Sequence, residues 1–75
     1  MIKITNTRTE THGTTRYTVY TVDVDGQAVE ININPWGADS RLLLDAQGNR
    51  RGAQNDAERG ITARAMQAVR AARNN

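Results

Sequence analysis

The chain has 75 residues, no cysteine, one histidine and a formal net charge of +2. That length allows one domain with a small core, and the composition excludes disulfides, thiolate zinc sites and multi-histidine metal sites. No stretch approaches the roughly 20 apolar residues of a membrane span, and MIKITNTRTE lacks the apolar run of a signal peptide. A stand-alone cytoplasmic protein starting at Met1 is the simplest expectation.

The charge is unevenly spread. Residues 1–49 carry four basic and six acidic side chains, a balance of −2; residues 50–75 carry six arginines against Asp56 and Glu58, a balance of +4. Nine of the ten basic residues are arginine, which suits forked contacts to phosphate and carboxylate. A GC-rich coding sequence is the plainer source of that bias.

Taken in chain order, residues 2–9 (IKITNTRT) read as a β-strand in which Ile2 and Ile4 share a face. The remainder is threonine and polar, as befits an edge. Thr11–Thr14 form a turn into residues 15–24 (TRYTVYTVDV). Asp25-Gly26 then matches a two-residue type I′ turn, whose two central positions need positive φ. Such a turn puts Val24 opposite Gln27, Val22 opposite Val29, Tyr20 opposite Ile31 and Thr18 opposite Ile33. One face then carries Tyr20, Val22, Val24, Val29, Ile31 and Ile33. The other carries Val19, Thr21, Asp23, Ala28, Glu30 and Asn32, with Glu30 on a solvent face.

Asn34-Pro35-Trp36-Gly37 stops the third strand. Residues 41–45 (RLLLD) fit a short helix or a fourth strand with Leu42 and Leu44 facing the core. The strand is preferred, with Asp45–Asn49 as a turn. A helix spans about Asp56 to Arg73, with Asn55 as N-cap and Glu58 in a capping-box position. Its inward stripe is Ala57, Ile61, Ala65, Ala68, Val69 and Ala72, with Met66 on the flank. Gly60 inside it is read as tolerated near the first turn. The expected fold is α+β: a three- or four-stranded antiparallel meander (2–45) packed by one C-terminal helix (about 56–73), within a single domain of residues 1–75.

No pattern points to catalysis, a metal or a cofactor. A Ser40/His12/Asp triad is formally available but lacks a nucleophile elbow. Asp23-Val24-Asp25-Gly26 lacks the downstream ligands of a calcium loop. Gly48, Gly52 and Gly60 are too widely spaced for a phosphate loop. The candidate sites are therefore binding surfaces. The first is the arginine set Arg50, Arg51, Arg59, Arg64, Arg70 and Arg73, suited to phosphate, with solvation of an alanine-rich helix the preferred explanation. The second is Trp36, either a recognition anchor or a lid on the core, with the lid preferred. The third is the outer sheet face around Tyr17, Val19, Thr21, Ala28 and Asn32, open to a dimer mate or another partner.

The strand run TRYTVYTVDVDGQAVEINI followed by ITARAMQAVRAA resembles, in layout over most of the chain, small phage-encoded antidefence proteins, among them anti-CRISPR proteins. No single motif carries the likeness. It implies a non-enzymatic inhibitor that binds a host defence complex stoichiometrically in the host cytoplasm. Because the chain is mildly basic, docking on a protein or nucleoprotein surface fits better than mimicry of nucleic acid. Two alternatives stand beside it: a DNA- or RNA-binding protein using the C-terminal arginines, and a structural subunit assembling through its sheet edge; a homodimer is compatible with each.

Overall fold

The computed structural model describes residues 1–74. Five strands precede one helix: β1 (Ile2–His12), β2 (Thr15–Val24), β3 (Gln27–Ile33), β4 (Asp39–Leu44), β5 (Arg50–Arg51) and α1 (Asp56–Arg73). The strands lie in the order β1-β2-β3-β4-β5, each antiparallel to its neighbour, in an open meander covered on one face by α1. The expected α+β architecture holds, with five strands in place of the three or four expected.

Turn chemistry sets the register. Asp25 and Gly26 have φ of 52° and 93°, the type I′ form, and the β2–β3 pairing runs from Val24↔Gln27 to Thr18↔Ile33 as expected. The next two connections share one design. Asn34–Ala38 and Asp45–Asn49 each close a three-residue loop whose third residue, Gly37 or Gly48, has positive φ (89° and 82°). In each, the leading Asx side chain accepts two backbone N–H groups: Asn34 from Trp36 and Ala38, Asp45 from Gln47 and Asn49.

The first of these loops corrects the reading of β4. With Asn34 held opposite Ala38, Leu43 falls opposite Val29 on the helix-covered face and is 2% exposed. Leu42 and Leu44 therefore point to the opposite face, where they are half-buried. A leucine triplet has no alternation, so only the loop geometry could choose the parity.

A bulge at Thr5 lets β1 serve both faces. Ile2 and Ile4 lie opposite Val24 and Val22, on the core side. Past the bulge, Asn6, Arg8, Glu10 and His12 lie opposite Thr21, Val19, Tyr17 and Thr15, on the open side.

The core joins Tyr20, Val22, Val24, Val29, Ile31, Ile33 and Leu43 of the sheet to Ala65, Met66 and Val69 of α1. Asn55 caps the helix by accepting from Glu58 N at 2.9 Å. Glu58 returns to Gln54 N rather than to the cap residue itself. The inward stripe is rotated from the expected one. Thr62, Ala65, Met66 and Val69 are buried, Ile61 and Ala68 half-buried, and Ala57 and Ala72 exposed. Burying Met66 removes far more apolar surface than burying another alanine, so the helix turns toward it. Thr62 is tolerated inside because its hydroxyl donates to Arg59 O at 3.0 Å. A Cβ at Gly60 would meet no neighbour within 4 Å, so no close approach demands glycine there.

Candidate binding site

Most of the C-terminal arginines are engaged by partners within the chain. Arg51 of β5 forms a two-armed pair with Glu58 in the first turn of α1, one arm at 2.8 Å. Arg64 reaches Asp25 of the hairpin turn at 3.1 Å. Arg59 pairs with Asp56 one turn away. Arg50 binds Glu30 from β5, with Nε to Oε1 at 2.8 Å. Arg73 donates to the Tyr20 hydroxyl at 3.2 Å. Arg70 makes no ion pair among the described residues. Four of the six arginines thus carry a carboxylate partner, and the basic patch read from sequence is largely compensated.

The carboxylates record the same pairing. The Arg51 guanidinium and the Gln54 N–H hold the Glu58 carboxyl down at about 2. The Met1 amino group and then Arg64 hold Asp25 below the usual carboxylate range. Both acids of the Asp23-Val24-Asp25-Gly26 string are thereby occupied, since Asp23 accepts from Gly26 N at 2.9 Å.

On the open sheet face, Glu30 does not sit in solvent as expected. Val19 is 0% exposed and Glu30 5%. In register, Glu30 lies opposite Thr21 and Leu42, while Arg8 lies opposite Val19 and Arg50 opposite Leu44. To reach Glu30, Arg8 must cross over β2 and Arg50 must cross over β4. Their stems therefore roof the middle of the sheet, which hides Val19. Arg8 extends the chain of contacts to Glu10, and Glu10 to His12, whose ring meets Tyr17 edge-on at 5.3 Å. Burial pushes the Glu30 carboxyl up, but the Arg50 and Arg8 guanidiniums outweigh it and leave it below its ordinary value. The Arg8 hydrogen bond lowers the Glu10 carboxyl as well. Of the outer-face candidates, Tyr17 remains half-buried at the end of this ladder and Val19 is not available to a partner.

Ser40 and His12 are not brought together. Ser40 lies on β4 opposite Asn32, and two strands separate it from β1. Among the described residues, no group of three or more His, Cys, Asp or Glu side chains is placed to hold a metal ion. No described helix is long and apolar enough to cross a membrane.

Trp36 is where the structure departs most usefully from expectation. It does not cover the core: it is 80% exposed. Nor is its loop slack. Asn34 N donates to Ala38 O, Gly37 N donates to Asn34 O, and the Asn34 side chain takes the N–H groups of Trp36 and Ala38, all at 2.9–3.1 Å. Beside this loop, a cleft of about 190 Å³ opens between the end of β3 and the last turns of α1. Ile33 and Met66 supply apolar lining, Gly37 and Asp39 flank the loop side, and Arg70 and Arg73 flank the helix side. Asp39 is paired with Arg41 at 2.9 Å, so the two helix arginines bring the cleft its unbalanced positive charge.

Comparison with protein-family models, with curated proteins and with solved structures finds no match to this chain.

Proposed function

We propose that the chain acts without catalysis, by stoichiometric binding to a protein partner. In this reading Trp36 inserts into the partner, and the adjoining cleft receives an acidic side chain between Arg70 and Arg73. The observation that carries it is the exposure of Trp36 on a loop fastened by four hydrogen bonds. A large indole left in water gains much on burial, and a loop already fixed loses little freedom when it docks. Tryptophan beside arginine is the composition enriched at the energetic centres of interfaces.

The narrower form follows the layout likeness to anti-CRISPR proteins: the partner is a host defence complex, met in the cytoplasm. Direct nucleic-acid binding is the weaker rival, because four of the six C-terminal arginines are already paired with carboxylates. The test is co-migration with purified CRISPR surveillance complexes on native gels, with Trp36→Ala and Arg70→Glu/Arg73→Glu alongside. The expected result is one stable complex, weakened at least tenfold by Trp36→Ala. Failure to bind any such complex removes the narrower form. Binding that ignores both variants removes the site. Affinity for bare duplex that falls steeply with salt would favour the nucleic-acid reading.

A further inference from the structure

Among the described residues, no strand lies beside the outer edge of β1, and its pattern selects one partner. The two-residue turn at Asp25-Gly26 makes Val24↔Gln27 a hydrogen-bonded pair. The even residues of β2 therefore direct their backbone groups to β3, and the odd ones to β1. Through the observed register, Asn6, Arg8, Glu10 and His12 are the β1 residues that bond to β2. Thr7, Thr9 and Thr11 consequently direct their N–H and C=O groups outward, unpaired among the described residues. Past the bulge at Thr5, the straight part of β1 is Asn6–His12, and its midpoint is Thr9.

We propose that two copies of this chain pair through β1, antiparallel about a two-fold axis at Thr9, to form one continuous sheet. Thr9 then meets Thr9 of the second copy, and Thr7 meets Thr11. Both are hydrogen-bonded pairs, so the outward groups of all three threonines are satisfied. On the open face Arg8 falls opposite Glu10 of the second copy, and Glu10 opposite Arg8. Charge decides the register. An axis at Arg8 or at Glu10 sets like charges face to face, which destabilises a cross-strand pair. An axis at Thr7 runs the pairing into the bulge, and one at Thr11 runs it past the end of the strand. Facing threonines are favourable cross-strand neighbours. The alternating threonines with both charge signs suit a second identical edge better than an apolar peptide.

Sedimentation equilibrium of the full chain tests this. Dimerisation predicts a concentration-dependent species of twice the 8.3 kDa chain mass. Thr9→Pro removes an outward N–H and leaves the β2 ladder intact, so it should be monomeric with an unchanged circular dichroism spectrum. Glu10→Arg places arginine opposite arginine and should weaken the dimer about tenfold. With no native cysteine, register is read by oxidation of single-cysteine variants. Thr9→Cys meets its mate at a Cα separation of about 5.5 Å, within disulfide range, and should cross-link. Thr11→Cys lies about 13 Å from its mate along the strand and should not. A wild-type monomer at millimolar concentration, a dimer indifferent to both Thr9→Pro and Glu10→Arg, or equal cross-linking of both cysteines would overturn the proposal.

Discussion

Replacing Glu30 by alanine removes the acceptor on which two arginines converge from opposite edges of the sheet. The carboxylate accepts from Arg50 Nε at 2.8 Å, and from Nη2 of Arg8 and of Arg50 at 3.2 and 3.3 Å. Bonds to a charged group contribute about 1.5–3 kcal/mol. The two arginines are half-exposed and can recover water once released, which keeps the loss near the low end, about 2 kcal/mol for the whole set. A domain of this length is stable by roughly 4–11 kcal/mol, so that loss is a large share. At about 4–8 °C per kcal/mol, the unfolding midpoint should fall by about 8–16 °C. Thermal and urea unfolding followed by circular dichroism would measure it. A double-mutant cycle with Arg50→Ala should show a coupling above about 0.5 kcal/mol. A Glu30→Ala midpoint within 2 °C of wild type, or no coupling to Arg50, would refute the idea that this bridge ties the sheet together.

Three further outcomes follow from the same geometry. Leu43→Ala should cost about 2–5 kcal/mol, and Leu42→Ala about 1 kcal/mol, since only Leu43 is in the core; equal losses in urea titration would contradict the β4 register. Gly60→Ala should stabilise by about 0.5–1 kcal/mol, because a helix position with no neighbour near its Cβ gains only from reduced chain freedom, and a lower midpoint in thermal unfolding would contradict it. Glu10, Asp25, Glu30, Asp45 and Glu58 all have carboxyls held below their ordinary range by cations or backbone N–H groups. Their stabilising contribution is complete above the unfolded carboxylate range near pH 4–4.5 and is lost as pH falls through their folded values, down to about 2 for Glu58. The melting midpoint should therefore hold from pH 7 to 5 and drop between pH 4 and 2, with Glu58→Gln flattening the drop; an unchanged midpoint at pH 2 would deny these pairs their role.

Local chemistry made some elements readable from sequence. Asp25-Gly26 specified a turn, the turn specified a register, and strict alternation on both sides agreed with it. Asn55 and Glu58 marked the start of α1 for the same reason: the cap bond spans three residues. What was missed depended on contacts distant in the chain. Glu30 alternates with Val29 and Ile31, which places it on the face away from the core, so its burial is invisible until Arg8 and Arg50, 22 and 20 residues away, are placed. Those placements need the bulge at Thr5 and the short β5, neither of which alternation reveals. The β4 parity was accessible in principle, because Asn34-Pro35-Trp36-Gly37 and Asp45-Ala46-Gln47-Gly48 share an Asx-x-x-Gly pattern that specifies a three-residue loop. The exposure of Trp36 follows from that loop: it is the middle residue of a closed three-residue hairpin connection beyond the end of β3.

Trp36 is the single tryptophan of the chain, so 5-fluorotryptophan places one fluorine probe at the proposed anchor. The decisive measurement is the solvent-isotope shift of that ¹⁹F resonance between H₂O and D₂O, for the free chain and after one equivalent of a surveillance complex that co-migrates with it. The proposed function predicts a full isotope shift in the free protein and its loss in the complex. A ring already shielded in the free chain, or one still fully solvated in the complex, would contradict the assignment of Trp36 as the binding anchor.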